Sequence, residues 1–356
     1  MRFADNRNKI GKYIPAVVFL IFIYGMALWF IFSPKPDYSS SEKRYLQKFP
    51  EVTAEKLLSG DFGSEFETFF ADRFPQRNTW VGLNAYTALA EGNNGASGVY
   101  NCKNGYLINK PVSTENNLDK NIGAVADFAK SIDTPTTVML VPSTGYIVDD
   151  VLPTFHDKYN DDEDISKISS TLSKDKIGFV DLRERFKSEY KNGSQLYYKT
   201  DHHWTTKGAY TGYQELCKAL DITPIDDSTL KKDSYPDFYG TTYSSSGFWL
   251  TPPDNIEIWN NPKNSDRNIS VKITEGANIK TSGSMYFTDH LKEDDKYPVF
   301  IDGNHALTEI TNTNAKNGTI LLIKDSFSHS LAPFLAENYS KVVLVDLRYY
   351  KESVSD

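Results

Sequence analysis

The 356-residue sequence has little cysteine, no excess of positive charge and no internal repeat. Two cysteines, Cys102 and Cys217, cannot form a disulfide framework, and no Cys-x-x-Cys motif is present, so we expect two unpaired, mostly buried thiols. Lys and Arg number 39 against 47 Asp and Glu, a net charge of −8. This balance argues against nucleic acid as the main partner, because phosphate binding needs a basic surface.

A long apolar run is present at the N-terminus. Tyr13 to Phe32 are twenty residues without a charge, and as a helix they would span about 30 Å, the thickness of a bilayer core. Residues 1–12 carry four cationic side chains and one anionic side chain. A cleavable signal peptide is the alternative, but its apolar region would be shorter and would end in small residues. We therefore predict an uncleaved anchor at 13–32, a cytoplasmic tail at 1–12, a stalk at 33–60 and an exported domain at 61–356.

Beyond this anchor, short apolar runs alternate with helical stretches. The runs are Thr136–Val141, Ile177–Leu182, Thr319–Ile323 and Val342–Leu347. Each is rich in β-branched residues and apolar on both faces, as buried parallel strands are. Helical stretches such as Asn116–Ser131 and Thr205–Leu220 lie between them. The alternation predicts an α/β fold with a mostly parallel sheet covered on both faces, interrupted by an irregular or β-rich insertion at 225–315.

Two local patterns precede these runs. Between Phe62 and Phe74, five phenylalanines recur at helical spacing, and we expect this stripe to pack against a core. Arg73 and Arg77 beside it are expected to be solvated or structural ion-pair arginines. The segment 98–108 (GVYNCKNGYLI) predicts a hairpin whose turn, Asn104-Gly105, tolerates positive φ.

The segment Lys324-Asp325-Ser326 directly follows one of the predicted strands. Ligands of open parallel sheets bind at the carboxyl ends of the strands. A serine between a strand end and a helix start is exposed, and the free N–H groups there can stabilise an oxyanion. The alternative is that Asp325 or Ser326 only caps the helix.

The segment Asp201-His202-His203-Trp204 lies at the start of another predicted helix. In a turn, an aspartate can bond a histidine two residues later, and a histidine base oriented by a carboxylate activates a serine. Metal binding is the competing use of these residues. Adjacent histidines rarely share one ion without further ligands, and the remaining histidines form no HxH or HExxH pattern. We expect no metal site.

These segments resemble the DHHW protein family, membrane-anchored relatives of the alginate O-acetyltransferases in the SGNH hydrolase superfamily. The resemblance covers most of residues 60–350, and the Asp-His-His-Trp and Lys-Asp-Ser elements are its most specific parts. The other matching segments are FADRFPQR, GVYNCKNGYLI, VPSTGYIVDDVLP, DFYGTTYS, DGNHALTEI and VDLRYY. Two features differ from a standard SGNH enzyme. Asp and His precede Ser in the chain, and Lys324 stands where the motif has a glycine.

The resemblance implies an SGNH-like three-layer α/β/α fold and a Ser-His-Asp triad. Ser326 matches the nucleophile, His203 the base and Asp201 the residue that orients the base, while His202 matches a variable position. Three further residues are candidates for the substrate site: Ser143 and Asn304 as oxyanion donors, and Tyr239 for saccharide binding.

The implied function is that of an exported O-acetyltransferase without a cofactor. It would move acetyl groups through an acetyl-serine to hydroxyls of a cell-surface polysaccharide. A multi-spanning membrane-bound O-acyltransferase would supply the acetyl groups, since acetyl-CoA is cytoplasmic. Two alternatives remain open: a carbohydrate acetylesterase with the same triad, and a non-catalytic carbohydrate-binding or assembly protein.

The anchor leads to a topological prediction. With four cationic residues before the apolar run, the tail should lie in the cytoplasm and the domain outside. Protease added to intact cells or spheroplasts should therefore digest the domain. Full protection of the domain, or a mature chain that begins after Phe32, would contradict this topology.

Overall fold

The computed structural model describes residues 2–39, 41–112 and 117–354, with side chains from residue 13 onward. The chain divides into two compact units, Met1–Asn84 and Ala85–Asp356. All of the candidate site residues belong to the second unit.

The first unit begins with the long helix α1 (Arg2–Phe32). The stretch Tyr13–Phe32 of this helix has a mean hydropathy of 2.4, and none of its residues is buried. It is therefore a candidate membrane span or signal peptide. The following elements are β1 (Tyr38–Ser39), β2 (Arg44–Tyr45), α2 (Ala54–Ser59), α3 (Asp61–Asp72) and α4 (Arg77–Ala90).

Aromatic packing and ion pairs organise the rest of this unit. The ring of Phe49 packs edge-on against the phenylalanine stripe of α3, 6.1 Å from Phe66. Arg73 is buried and donates to two main-chain carbonyl oxygens, and Arg77 pairs with Glu42. Both arginines thus have structural contacts, as expected.

The second unit opens with a small antiparallel sheet: β3 (Gly95–Ala96), β4 (Val99–Asn101) and β5 (Leu107–Asn109). Strands β4 and β5 form the predicted hairpin. At its turn Asn104 has φ 58° and Gly105 has φ 78°. Asn and Gly adopt positive φ at a lower energetic cost than most other residues.

The four predicted apolar runs are strands, and they pair in parallel two by two. Strands β6 (Thr137–Leu140) and β7 (Gly178–Asp181) form one parallel pair. Strands β13 (Asn317–Ile323) and β14 (Tyr339–Val345) form the other. The remaining strands are β8 (Lys231–Phe238), β9 (Asp254–Asn260), β10 (Ile269–Glu275), β11 (Asn278–Ser282) and β12 (Leu307–Asn312).

The expected mostly parallel sheet is not confirmed, because the sheets are small and mostly antiparallel. The largest has the order β11-β10-β12-β14-β13, and only its last pair is parallel. The other edge of β14 is taken by the antiparallel strand β12. Both edges of β14 are therefore occupied, and no further parallel strand can pair with it. The architecture is a mixed α/β fold.

Helices of the second unit complete its core. They are α5 (Leu118–Ser131), α6 (Thr144–Ile147), α7 (Asp161–Lys174), α8 (Arg183–Lys191), α9 (Thr206–Ala219), α10 (Thr241–Ser246) and α11 (Ser328–Asn338). Helix α9 packs on α11, where the rings of Tyr213 and Phe334 stack with centroids 5.6 Å apart. Both cysteines are buried and unpaired, as expected.

Candidate active site

The Asp-His-His-Trp segment forms a closed turn directly before α9. Tyr197 and Trp204 face each other as an antiparallel bridge at its two ends. Thr205 then caps α9, since its hydroxyl accepts the Gly208 N–H at 3.1 Å. Inside the turn, Oδ1 of Asp201 accepts the N–H of His203 at 2.9 Å. This local Asx geometry places the aspartate within reach of the imidazole two residues later.

Ser326 lies between the end of β13 and the start of α11, as predicted. The N–H of Phe327 donates to Oδ1 of Asp325 at 3.0 Å. Asp325 therefore closes a turn with Phe327, the residue directly before α11. The hydroxyl of Ser326 instead lies 2.7 Å from Nε2 of His203.

The structure brings the three predicted catalytic residues together. Oγ of Ser326 is 2.7 Å from Nε2 of His203, and Nδ1 of His203 is 2.5 Å from Oδ1 of Asp201. Asp201 and His203 are 2% and 4% exposed, and Ser326 is half-buried. A hydroxyl, an imidazole and a carboxylate in this order allow a histidine base to take the serine proton.

The carboxylate of Asp201 is fully engaged. Its second oxygen accepts the N–H of Thr241 at 2.7 Å and the hydroxyl of Thr241 at 3.1 Å. Burial alone would raise the pKa of Asp201, but the charge and hydrogen bond of His203 and the N–H of Thr241 lower it below its ordinary value. Asp201 therefore remains ionised and can stabilise a protonated His203.

Gly240 allows this close approach of two segments. A Cβ atom at position 240 would collide with the Cβ atom and the carboxylate of Asp201. The backbone of Gly240 is in an ordinary extended conformation, so the requirement for glycine comes from space and not from φ.

A second buried carboxylate, Asp254, supports the turn from behind. Its oxygens accept the N–H of Lys199 (3.0 Å), the N–H and hydroxyl of Thr200 (2.8 and 2.7 Å) and the amide of Gln195 (3.0 Å). Burial raises the pKa of Asp254, and these donors oppose that shift. Asp254 thus holds the two residues that immediately precede Asp201.

Aromatic side chains connect the turn to the serine segment. The indole of Trp204 is buried and donates to the carbonyl of Phe327 (3.0 Å) and the hydroxyl of Ser330 (2.9 Å). The ring of Tyr297 stacks on the imidazole of His203, with centroids 4.0 Å apart and planes at 11°. Its hydroxyl contacts the carbonyl of Ser326 at 3.2 Å. Tyr297 thus touches both the base and the nucleophile.

A buried ion pair lies at the base of the serine segment. The ammonium of Lys324, with its side chain 2% exposed, donates to Asp346 (3.1 Å) and to His329 (2.8 Å). Arg348 also donates to Asp346, at 2.6 Å. Burial lowers the pKa of Lys324, while the carboxylate of Asp346 opposes that shift. The pair ties the ends of β13 and β14 together next to Ser326.

Ligand atoms of Asp201, His202 and His203 lie within 4.8 Å of one another, so proximity alone is compatible with a metal ion. The contacts already present argue for another use. Nδ1 of His203 faces Asp201, Nε2 of His203 faces Ser326, and Nδ1 of His202 faces the hydroxyl of Thr241 at 2.5 Å. A shared ion would have to replace some of these bonds.

The three other predicted site residues occupy different surroundings. The N–H of Ser143 donates to Asp161 at 2.6 Å, and Oδ1 of Asn304 accepts from Arg348 at 3.1 Å. Neither of these two hydrogen bonds is made to a member of the triad. The ring of Tyr239, next to Gly240 in the chain, packs against the ring of Tyr243, with centroids 4.2 Å apart and planes inclined at 33°. Substrate binding by these residues stays a prediction.

Several residues of the site had no role in the sequence interpretation. Gly240 and Thr241 lie within the segment DFYGTTYS, and Asp346 lies within VDLRYY. Both segments resemble the DHHW family, and this resemblance was the signal that could have identified the three residues. Asp254 and Tyr297 gave none, because their contacts with the turn join positions far apart in the chain.

Gly240→Ala should disrupt the site without general loss of structure. Displacing Asp201 by even about 1 Å should lower ester turnover by roughly 10²-fold. The control is Gly123→Ala in α5, where a Cβ would have nothing within 4 Å. The control should keep full turnover and gain about 0.5–1 kcal/mol of stability. Assays of p-nitrophenyl acetate hydrolysis and thermal unfolding measure both, and normal turnover in Gly240→Ala would contradict the proposed role of Asp201.

Comparisons with known proteins identify solved structures with a similar fold. A DHHW family protein from Eubacterium siraeum has 19% identity, with 72% of this chain and 85% of that chain covered and a TM-score of 0.59. Bacillus cereus PatB1 has 20% identity, 70% and 88% coverage and a TM-score of 0.58. PatB1 has also been solved with a sulfonyl adduct. At these identities the likeness establishes the fold alone.

A weaker match is the O-acetyltransferase domain of Pseudomonas putida AlgJ, with 13% identity, 68% and 78% coverage and a TM-score of 0.43. No protein with a curated description is significantly similar to the chain. Residues 108–345, more than half of the chain, match the family described as DHHW protein. The chain therefore belongs to the DHHW protein family.

Proposed function

We propose that this protein is a membrane-anchored, serine-dependent O-acetyltransferase of SGNH type that acetylates hydroxyls of a cell-surface polysaccharide. The observation that carries the proposal is the chain of contacts from Ser326 through His203 to Asp201, at 2.7 and 2.5 Å. These distances are within the reach that nucleophilic catalysis needs.

The first half-reaction forms the acetyl-enzyme. Oγ of Ser326 attacks the acetyl carbonyl carbon while Nε2 of His203 takes the hydroxyl proton. The ionised Asp201 stabilises the resulting imidazolium, and the leaving group departs with the proton from His203. An acetyl group is then bound to Ser326.

The N–H group of Ser326 is the first candidate oxyanion donor. Within the described residues it donates to no other group, and it lies two residues before the first residue of α11. A free N–H at a helix start stabilises negative charge on the tetrahedral intermediate. Ser143 and Asn304 remain the proposed further donors.

The anchor suggests where the reaction occurs. With Tyr13–Phe32 as an uncleaved span, the site would lie outside the cytoplasm, away from acetyl-CoA. The acetyl group would then come from a multi-spanning membrane-bound O-acyltransferase. The family resemblance implies this partner, because acetyl groups from cytoplasmic acetyl-CoA must cross the membrane.

The second half-reaction distinguishes a transferase from an esterase. In transfer, a sugar hydroxyl takes the acetyl group from Ser326, and in hydrolysis water takes it. The half-buried aromatic rings of Tyr239, Tyr243 and Trp249 lie close to Gly240 in the chain and favour a saccharide acceptor. The esterase is the second candidate, because the triad would serve both reactions.

The triad predicts a specific pattern of mutant activities. Ser326→Ala and His203→Ala should each lower ester turnover by roughly 10³-fold or more, because the two residues act as a unit. His202→Ala should cost much less. Rates with p-nitrophenyl acetate measure all three variants, and unimpaired turnover in Ser326→Ala would favour the binding-protein alternative.

The same assay tests metal dependence. Turnover should survive dialysis against EDTA, because no proposed step uses an ion. Loss on chelation, restored by added divalent metal and accompanied by equal losses in His202→Ala and His203→Ala, would instead identify Asp201, His202 and His203 as metal ligands.

Cells should show the direction of acetyl movement. Deleting the gene should lower ester-linked acetate on the envelope polysaccharide, and wild-type but not Ser326→Ala protein should restore it. Mild alkaline release and quantification of acetate provide the measurement. An increase in ester-linked acetate after deletion would show that the esterase alternative is correct.

A further inference from the structure

His202 lies beside the catalytic imidazole but takes no part in the triad. Its ring centroid is 3.9 Å from that of His203, and the two planes are inclined at 36°. The side chain of His202 is 37% exposed, compared with 6% for His203. The side chain of His202 is therefore partly accessible to solvent beside His203.

The contacts of Thr241 determine which nitrogen of His202 carries the proton. Asp201 is ionised and can only accept, so the hydroxyl of Thr241 donates to Oδ2 of Asp201 at 3.1 Å. The same hydroxyl oxygen must then accept a hydrogen bond from Nδ1 of His202, at 2.5 Å. A neutral imidazole has one N–H, and Nε2 of His202 is therefore left as an acceptor.

This acceptor is not used elsewhere in the described part of the chain. Among the described residues, His202 makes a hydrogen bond through Nδ1 and none through Nε2. Burial and the neighbouring His203 lower the pKa of His202 below its ordinary value. His202 is thus uncharged at neutral pH and presents a lone pair next to the base that would take a proton from an incoming hydroxyl.

We propose that Nε2 of His202 accepts a hydrogen bond from a second hydroxyl of the acceptor, so that the preferred acceptors are vicinal diols. The proposal rests on the transfer function proposed above. Neighbouring hydroxyl oxygens of a sugar ring lie about one hydrogen-bond length apart. Two imidazole rings side by side can therefore engage two adjacent hydroxyls, one at His203 and one at His202.

In the transfer step protons move only through His203, and the protonation of His202 does not change. The reacting hydroxyl gives its proton to Nε2 of His203 as its oxygen bonds to the acetyl carbon of acetyl-Ser326. The intermediate then collapses, the bond from that carbon to Oγ of Ser326 breaks, and His203 returns the proton to Oγ. The second hydroxyl only donates a hydrogen bond to His202, which orients the acceptor.

Two substitutions separate the nitrogens of His202. In His202→Asn the amide nitrogen can take the place of Nδ1 and keep the bond to Thr241, while the acceptor at Nε2 is lost. In His202→Gln the longer amide can present an oxygen near the position of Nε2. The control is His156→Asn, because His156 is exposed and its Nδ1 contacts the carbonyl of Asp157, outside the site.

The experiment compares a ring diol with its masked form. Full-length protein in detergent micelles receives p-nitrophenyl acetate and either cis-cyclohexane-1,2-diol or its monomethyl ether, which keeps one hydroxyl. Acetylated acceptor and free acetate are quantified by chromatography. The diol has two hydroxyls that can be acetylated and the ether has one, so rates are compared per reactive hydroxyl. On this basis wild type should acetylate the diol about fivefold faster than the ether, the ratio expected for one hydrogen bond of about 1 kcal/mol.

The variants decide the role of His202. His202→Asn should abolish the preference, His202→Gln should restore part of it, and His156→Asn should match wild type. Equal transfer to diol and ether by wild type, or a preference that survives in His202→Asn, would overturn the proposal while leaving the transferase intact. Wild type that consumes donor but acetylates neither acceptor would overturn transfer itself, and absence of donor turnover would overturn the role of Ser326.

Discussion

The burial of the Asp201 carboxylate is the constraint on which the rest of the site depends. An ionised group that is 2% exposed costs several kcal/mol unless its oxygens are paired. His203 pairs with one oxygen and Thr241 with the other. The bonds that stabilise the buried charge are therefore the same bonds that orient the imidazole of His203, and Gly240 provides the space for them.

The tryptophan of the motif has a structural explanation in this arrangement. Ser326 is 123 residues away from His203, so its hydroxyl reaches the imidazole only if two segments are held together. Trp204 donates from the turn to the carbonyl of Phe327, and Tyr297 contacts both His203 and Ser326. The site is thus a junction between the start of α9 and the start of α11, held by buried hydrogen bonds.

The sequence predicts the parts of the protein that depend on local rules. The apolar runs become strands, the hairpin turns at Asn104, and Ser326 follows a strand, because residue period and turn chemistry act over a few positions. The strand order of the sheet could not be predicted, because β12 pairs with β14 and not with β13, the next strand in the chain. Asp254 supports Thr200 across 54 positions, and no local pattern identifies such a contact.

Direct detection of an acetyl-enzyme tests whether Ser326 is the nucleophile. Full-length protein is mixed with p-nitrophenyl acetate, quenched in acid within the first turnover and digested for mass spectrometry. One added acetyl group should appear on the peptide that contains Ser326, strongly reduced in His203→Ala and absent in Ser326→Ala. Acetylation of another residue at the rate of turnover, or turnover without any acetylated Ser326 at the shortest times, would contradict the assignment of Ser326 as the nucleophile.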